Sequence, residues 1–152
     1  MRVSGFTLVE LLVTAVIIIT LTGFGLASWG RFRRKTLVES AAAELQSELR
    51  LTRSWALNGR KLIAGCSVLD GYRVGVNNGN LEIFICCQGN CNQLVKTIEI
   101  NGDLTKNFSG FPIKFLSLTG LAEITGSDSA EITLTQGEFS QTIIIDSSGE
   151  IQ

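Results

Sequence analysis

The sequence predicts an α+β protein in which a long N-terminal α-helix packs on a C-terminal antiparallel β-rich head built from two sheets. Three features of the 152 residues carry this prediction. An apolar run extends from Phe6 to Trp29. A second segment, Thr36 to Asn58, has apolar residues at the three- and four-residue spacing of a helix. From Lys61 onward, short apolar strands alternate with turn residues, as in an antiparallel sheet.

The first part of the helix is the apolar run. Its 24 residues would extend about 36 Å as a helix, which is enough to cross the hydrocarbon core of a bilayer. We therefore expect residues 6–30 to form a transmembrane helix that could also pack in the core of an assembly. Gly23, Gly25 and Gly30 lower the helix propensity, so the helix could bend or melt near them.

The second part of the helix, residues 31–58, follows a basic cluster and is amphipathic. We interpret its apolar stripe as the side of a helix that lies on a sheet. Asn58 and Gly59 predict the end of the helix, because glycine tolerates the left-handed conformation found there. The stripe consists of Val38, Ala42, Leu45, Leu49, Thr52 and Ala56.

The predicted head, residues 61–152, contains seven candidate strands separated by turn residues. Asn-Gly and Asp-Gly pairs between the strands favour tight hairpins. The strands are Leu62 to Val68, Tyr72 to Val76, Leu81 to Cys87, Leu94 to Ile100, Ile113 to Ser117, Glu131 to Thr135 and Gln141 to Asp146.

Composition narrows the range of functions. The chain has no histidine, which removes the commonest general base and the commonest neutral metal ligand. It also lacks a phosphate-binding glycine loop, a nucleophile elbow and a paired metal-ligand motif. We therefore expect no enzymatic activity, no catalytic residue, no cofactor and no metal ion.

Glu10 is the one charged residue within the apolar run. A carboxylate in a membrane-spanning helix costs a few kcal/mol, about 3 on insertion scales, and such residues usually have a functional partner. The alternative is that Glu10 lies shallow enough to reach the lipid head groups. The residue alone leaves both interpretations open.

The segment Gly5-Phe6-Thr7-Leu8-Val9-Glu10-Leu11-Leu12 resembles the prepilin motif of type IV pilins and type II secretion pseudopilins. This resemblance implies that residues 1–5 are a leader peptide, and that a prepilin peptidase cleaves between Gly5 and Phe6 and methylates the new amino group. It also implies that Glu10 pairs with the N-terminal amine of a neighbouring subunit. A buried ammonium and carboxylate attract strongly, and either one left alone is costly, so the pair would set the register of packed helices.

Two further segments resemble the GspH/FimT branch of this superfamily, which comprises minor pilins and minor pseudopilins. They are the helical segment from Leu45 to Ala56 and the ending from Ile143 to Ile151. The resemblance implies a minor subunit at or near the tip of a secretion pseudopilus or a type IV pilus, where it helps to initiate or cap the filament. Its partners would be other pilins or pseudopilins, bound through their N-terminal helices. The chain would cross the inner membrane once, with an extracytoplasmic head.

Two features of the sequence predict opposite orientations of the chain in the membrane. The basic cluster Arg31, Arg33, Arg34 and Lys35 follows the apolar run, and under the positive-inside rule it favours a cytoplasmic C-terminus. The cysteines favour an extracytoplasmic head, because disulfides persist in oxidising compartments.

The four cysteines form an even set, and paired disulfides are the leading interpretation. Cys87 shares a strand face with Leu81, Ile83 and Ile85, and this pattern predicts that Cys87 points inward. A Cys66–Cys87 bridge together with a Cys86–Cys91 bridge would suit the alternation, although a simple meander would place Tyr72 to Val76 between Cys66 and Cys87. A four-thiolate metal site remains an alternative, without the usual Cys-x-x-Cys pair.

A DNA-binding tip pilin is the alternative function. The region from Leu62 to Gln152 has four basic and ten acidic residues, a net charge of −6, and such a surface repels phosphate. A local patch of Arg50, Arg53, Arg60 and Lys61 could still bind DNA. We expect DNA not to be a partner.

Overall fold

The computed structural model describes residues 7–152, apart from the side chains of residues 24–28. One α-helix, α1, extends over 50 residues from Leu8 to Leu57. The Thr7 hydroxyl caps its start by accepting a 3.3 Å hydrogen bond from the Glu10 backbone N–H. The two predicted helical segments are therefore one continuous helix, which passes through Gly23, Gly25 and Gly30 without interruption.

The helix ends where the sequence predicts. Asn58 is its C-terminal cap, and Gly59 has a φ of 57°, in the left-handed region. The Asn58 side chain donates a 2.7 Å hydrogen bond to the carbonyl oxygen of Ser54, which occupies one of the last acceptors of the helix.

The two halves of α1 have different surroundings. Every described side chain from Leu8 to Thr36 is exposed, and we call residues 8–36 the arm. From Leu37 onward the helix packs on the head, and all six residues of the predicted stripe are buried. Among them, Thr52 donates a 2.8 Å hydrogen bond to the Glu48 carbonyl, so its hydroxyl is satisfied inside the apolar interface.

The expected membrane span is not supported by the structure. In the described part of the chain, no helix has the length and apolar character needed to cross a membrane.

The head contains eight antiparallel strands in two sheets, so the predicted α+β class with a two-sheet head is confirmed. The strands are β1 (Leu69–Asn77), β2 (Asn80–Cys87), β3 (Asn90–Ile98), β4 (Thr105–Ser109), β5 (Ile113–Leu116), β6 (Ala122–Ile124), β7 (Ser129–Gln136) and β8 (Phe139–Asp146). The five-stranded sheet has the order β3-β2-β1-β5-β6, and the three-stranded sheet has the order β4-β7-β8.

Two hairpins build one side of the larger sheet. Asn78 and Gly79 connect β1 to β2, and Gln88 and Gly89 connect β2 to β3. All four residues have positive φ angles, between 49° and 79°, as the tight two-residue turns of antiparallel hairpins require. These hairpins place β3 at one edge of the sheet.

The core lies between α1 and the inner faces of both sheets. Alternate residues of the strands point toward the helix, which is the period expected for half-buried sheets. Tyr72 is the largest of the fully buried side chains. Its hydroxyl donates a hydrogen bond to the Arg60 carbonyl, and burial raises the pKa of the Tyr72 hydroxyl, so the donor proton is retained. The fully buried strand residues include Val74, Leu81, Ile83, Ile113, Phe115, Ile132, Leu134, Ile143 and Ile145.

One predicted strand is wrong. Residues 62–68 are irregular, because the chain must reverse direction between the end of α1 and the start of β1. Gly65 adopts a φ of 90° in this segment, and the Lys61 ammonium donates a 2.5 Å hydrogen bond to the Ser67 carbonyl.

Two strands were missed, and several bounds differ from the prediction. β4 has Phe108 as its one apolar residue and β6 has only 3 residues, so neither shows a clear alternation. β3 begins at Asn90 rather than Leu94, because its polar first residues continue a ladder set by the preceding hairpin. β1, β7 and β8 likewise begin two to three residues before the predicted starts.

Candidate functional site

The arm presents a long apolar surface. Its described apolar side chains are exposed to an unusual degree, with Leu8 at 81%, Leu21 at 69% and Trp29 at 67%. Soluble monomers rarely expose apolar patches larger than a few hundred Å². The exposed apolar side chains make the arm a candidate contact surface.

Glu10 lies in the first turn of the arm, where α1 begins. Its carboxylate is exposed, and among residues 7–152 no basic side chain forms an ion pair with it. Its position near the positive end of the helix dipole favours a negative charge. Within residues 7–152, Glu10 is thus an exposed carboxylate without an ion-pair partner on an apolar helix surface, and it is available to a cation from outside this part of the chain.

The other two predicted processing residues, Gly5 and Phe6, lie outside the described residues. The predicted cleavage between them and the methylation of Phe6 therefore stay predictions.

Basic side chains follow the apolar part of the arm, and two of them pair with acids. The Arg31 guanidinium lies 3.0 Å from the Glu138 carboxylate in the turn between β7 and β8, so it joins the arm to the head. Lys35 pairs with Glu39 one turn later, at 3.7 Å. Both pairs are exposed, and exposed pairs contribute little, about 0–1 kcal/mol each.

The suggested DNA-binding patch is mostly engaged within the head. Arg50 donates a 3.0 Å hydrogen bond to the Ile151 carbonyl, and Lys61 donates to the Ser67 carbonyl. Arg53 donates two hydrogen bonds of 3.2 Å, one to the Gly120 carbonyl and one to the Ser148 carbonyl. Three of the four side chains therefore satisfy backbone acceptors of their own chain.

Arg53 and the C-terminal turn form a small cluster that joins the helix to both sheets. Gly149 has a φ of 78°, and a side chain there would collide with the Gly120 carbonyl and crowd Arg53. Ile151, two residues later, is buried and pairs with Ile145 of β8. Sequence reasoning missed this role of the arginines, because exposed arginines in an amphipathic helix carry no sign of a distant carbonyl partner.

Asp146 organises the same turn. Its carboxylate accepts a 2.5 Å hydrogen bond from the Ser148 hydroxyl and a 3.0 Å hydrogen bond from the Glu150 backbone N–H. The Ser148 hydrogen bond is the main cause that holds the pKa of Asp146 below its usual range. Hydrogen bonds to the charged form favour ionisation, so this turn is adapted to a carboxylate rather than a carboxylic acid.

All four cysteines are in disulfides, with the pairing that the sequence suggested. Cys66 is bonded to Cys87, with Cα atoms 5.6 Å apart, and Cys86 is bonded to Cys91. The difficulty of an intervening strand does not arise, because Cys66 lies in the irregular segment before β1, beside the end of β2. The four-thiolate alternative is wrong in this structure, since no thiol is free.

The predicted face of Cys87 is confirmed. Cys87 is half-buried and packs against the core, and it lines the same pocket as Ile85, so both lie on one face of β2. Cys86 is fully buried as well, but it is not among the core residues and is bonded to Cys91. The register shifts near these residues leave the alternation of β2 unchanged, because the extra residues lie on the neighbouring strands β1 and β3.

A metal site is not evident in residues 7–152. Within that range, no group of three or more histidine, cysteine or acidic side chains is placed to hold a metal ion. The candidate functional features of the described residues are therefore the arm with Glu10, and the head that packs on the second half of the same helix.

The chain was also compared with known proteins. No family model, no curated protein and no solved structure matches it.

Proposed function

We propose that this protein is a minor pilin or pseudopilin, a structural subunit of a type II secretion pseudopilus or a type IV pilus. In this proposal, a prepilin peptidase removes residues 1–5, and the chain then helps to initiate or cap the filament. The observation that carries the proposal is Glu10, a lone carboxylate near the start of an exposed apolar helical arm. The prepilin-like segment from Gly5 to Leu12 agrees with it.

The arm requires a partner that can cover its apolar side chains. Before assembly, the proposed partner is the inner membrane, and this part of the proposal rests on the apolar sequence from Phe6 to Trp29. After assembly, the arms of other pilins or pseudopilins take the place of lipid. Burying apolar side chains in this way contributes roughly 25 cal/mol per Å² of surface removed from water.

The Glu10 carboxylate then sets the register in which the arms of neighbouring subunits pack. Cleavage after Gly5 would leave a methylated ammonium on Phe6, four residues before Glu10. In an apolar bundle the carboxylate can be satisfied by the ammonium of a neighbouring subunit. A shift of one subunit along its neighbour would leave both charges unpaired, which costs about 3–5 kcal/mol for a buried pair.

The head supports an extracytoplasmic location. Its two disulfides join the segment before β1 to β2, and β2 to β3. Disulfides of this kind form and persist in oxidising compartments such as the bacterial periplasm. In the proposed orientation the arm enters the membrane and the head lies outside the cytoplasm.

The test of this function replaces Glu10 by glutamine in the full-length chain. Glu10→Gln keeps the shape and removes the charge, so membrane insertion and cleavage should continue. Incorporation into filaments should fall by about tenfold or more, because the neighbour's ammonium loses its partner. The control is Glu44→Gln, an exposed glutamate on the half of the helix that packs on the head.

Incorporation is measured as the fraction of the subunit that co-purifies with sheared filaments. If Glu10→Gln and Glu44→Gln are both incorporated like the original chain, Glu10 has no role in register and the proposed function loses its main support.

A further inference from the structure

A polar pocket of about 430 Å³ lies where the arm meets the head. One wall is α1, which contributes the side chains of Arg33 and Arg34. The other wall belongs to the head and contributes Asn101 and Asp103, from the loop after β3, and Gln136, the last residue of β7. We call it the junction pocket. Its volume is within the range of small-ligand sites, about 300–1,000 Å³.

The charges that border the junction pocket are not paired with one another. Arg33 and Arg34 are the two members of the basic cluster that form no ion pair among residues 7–152, whereas Arg31 and Lys35 each pair with an acid. Asp103 lines the same pocket, yet it forms no ion pair with either guanidinium in the described chain. The pocket therefore has two positive charges on its α1 wall and one negative charge on its head wall.

Gln136 adds an acceptor that has no donor. Its side-chain oxygen Oε1 is enclosed, and among the described residues no group donates a hydrogen bond to it. Enclosed polar atoms are almost always hydrogen-bonded, because leaving one unpaired is costly. A ligand with N–H groups would supply the donor that this carbonyl lacks, and its positive charge would also neutralise Asp103.

The junction pocket begins directly after the apolar run. Gly30 lines it, and Trp29, the last residue of the run, is exposed. Tryptophan is enriched where the hydrocarbon of a membrane meets its head groups. If the arm enters the membrane as the proposed function requires, the pocket lies at the level of the phospholipid head groups, on the same side as the head. The inference rests on the proposed function for this location.

We propose that the junction pocket binds the head group of a zwitterionic phospholipid, with its two arginines on the phosphate and with Asp103 and Gln136 on a primary ammonium. Guanidinium groups suit phosphate because they donate hydrogen bonds in pairs. A primary ammonium is a donor only, and a carboxylate and an amide carbonyl both accept from it. Phosphatidylethanolamine carries the two required groups in one head group. The lipid also gives the basic cluster a partner on the extracytoplasmic side, where the positive-inside rule does not expect that cluster.

The mixed charge of the pocket predicts which head groups bind less well. Phosphatidylglycerol offers a phosphate to the arginines but no cation to Asp103. Phosphatidylcholine offers a cation without any N–H group, so the Gln136 carbonyl would stay without a donor. Phosphatidylethanolamine alone among the three satisfies both walls.

Native mass spectrometry of the purified full-length chain in detergent tests the site. The chain is incubated with equal amounts of phosphatidylethanolamine, phosphatidylglycerol and phosphatidylcholine that have the same acyl chains. We expect the ethanolamine lipid to be retained about tenfold more than either competitor, because each competitor leaves a polar group of the pocket unpaired. Equal retention of the three lipids, or stronger retention of phosphatidylglycerol, would overturn the proposal.

A pair of arginine variants separates the site from general attraction by charge. Arg33→Gln with Arg34→Gln removes both phosphate ligands, and retention of the ethanolamine lipid should fall by about tenfold or more. The matched control is Arg31→Gln with Lys35→Gln, which removes the same charge from the same turns of α1 but no residue of the pocket. Its retention should stay within about twofold of the original chain. Equal losses in the two double variants would overturn the pocket as the binding site.

Asp103→Asn tests the ammonium end with little change of shape. The preference for phosphatidylethanolamine over phosphatidylglycerol should be lost, because the carboxylate no longer neutralises the ammonium. Asp128→Asn is the control, and both aspartates are exposed, so the unfolding midpoints should not change. A preference that survives Asp103→Asn would overturn the choice of a zwitterionic head group.

Free O-phosphoethanolamine distinguishes a lipid from a soluble ligand. It carries the same phosphate and ammonium but has no acyl chains to lie along the apolar arm. We expect it to displace bound phosphatidylethanolamine only at a large excess. Displacement at an equal concentration would overturn the choice of a phospholipid as the occupant.

Glu10→Gln separates this proposal from the proposed function. Glu10 lies roughly 23 helical residues, or about 35 Å, from Arg33 along α1, so lipid retention should not change in this variant. Loss of the lipid preference of the original chain, with incorporation that still depends on Glu10, would contradict the junction pocket alone. An intact lipid preference with incorporation that does not depend on Glu10 would contradict the proposed function alone.

Discussion

The guanidinium of Arg50 donates a 3.0 Å hydrogen bond to the carbonyl of Ile151, a residue 101 positions further along the chain. This contact, together with the two hydrogen bonds of Arg53, fastens the C-terminal turn onto the helix. The half of α1 that follows the arm is thus bound to both sheets through backbone acceptors as well as through its apolar stripe. The arm is thus the continuation of the same helix that packs on the head.

Arg53 should be sensitive to a change that keeps its charge. Arg53→Lys cannot reach both carbonyls, because an ammonium lacks the fork of a guanidinium. We expect a loss of about 1–2 kcal/mol in the free energy of unfolding, measured by urea titration with far-UV circular dichroism. Arg33→Lys is the matched control on the exposed arm and should change it by less than about 0.5 kcal/mol. Equal effects of the two substitutions would contradict the role assigned to Arg53.

Gly149 should tolerate no side chain. Gly149→Ala brings a methyl group against the Gly120 carbonyl at a positive φ, so the turn must move away from Arg53. We expect a destabilisation of about 2 kcal/mol or more, measured by the same titration. Gly126→Ala is the control, because its φ is also positive, at 81°, but no atom lies within 4 Å of the added group. A similar loss for both would mean that backbone strain alone, without the collision, accounts for the effect.

The two disulfides should differ in their contribution to stability. Cys66–Cys87 closes a loop of sequence separation 21, and Cys86–Cys91 one of separation 5. The loop-entropy relation predicts a stabilisation of about 3 kcal/mol for the first and about 2 kcal/mol for the second. The double variant Cys66→Ala with Cys87→Ala should therefore have the lower unfolding midpoint. The double variant Cys86→Ala with Cys91→Ala should have the higher one. The reverse order would show that the buried position of Cys86 outweighs loop length.

Asp146 should make the head sensitive to acid. Its folded-state pKa lies below the usual value of 3.8, so its contribution to stability is present above that pH and is lost as the pH falls through the folded-state pKa. Asp146→Asn should therefore be less stable than the original chain at pH 7, and the difference should shrink as the pH falls below 3.8. Asp128→Asn, in an exposed turn, is the control. A difference that stays constant from pH 7 to strongly acidic conditions would contradict this account.

Processing of the N-terminus can be tested separately. Gly5→Ala should leave an unprocessed precursor of full length, because the resemblance places the cleavage immediately after this glycine. The mass of the purified protein and the identity of its first residue are the measurements. Val3→Ala, a substitution within the expected leader, should be processed like the original chain. Normal cleavage of Gly5→Ala would remove the prepilin interpretation.

Local patterns determined much of this architecture. The spacing of Val38, Leu45 and Leu49 sufficed to place the buried side of the helix, because a helical period of 3.6 residues repeats whatever the partner is. The Asn58-Gly59 pair likewise predicted the end of the helix, because glycine tolerates the left-handed conformation found there. The class of the fold and its two-sheet head also followed from the alternation and turn residues of the strands.

The outcome for the cysteines depended on more than alternation. The suggested pairs are correct, and Cys87 packs against the core as predicted. Alternation did not show that Cys66 lies outside any strand, beside the end of β2. Likewise, residues 62–68 have the composition of a strand, but the reversal between α1 and β1 leaves them no neighbour with which to pair. Strand pairing depends on two segments, so the residue pattern of one segment does not predict whether that segment pairs.

The amino-acid sequence by itself determined the long helix, its apolar run with the single charge at Glu10, the β-rich head and the even set of cysteines. These features depend on residue type and short-range period. Tertiary structure alone decided that Arg50 and Arg53 hold the C-terminal turn, that β4 and β6 complete the sheets, and that Arg33 lines one pocket with Asp103. These features depend on contacts between residues that are far apart in the sequence. The packing of the whole head determines which of those contacts form.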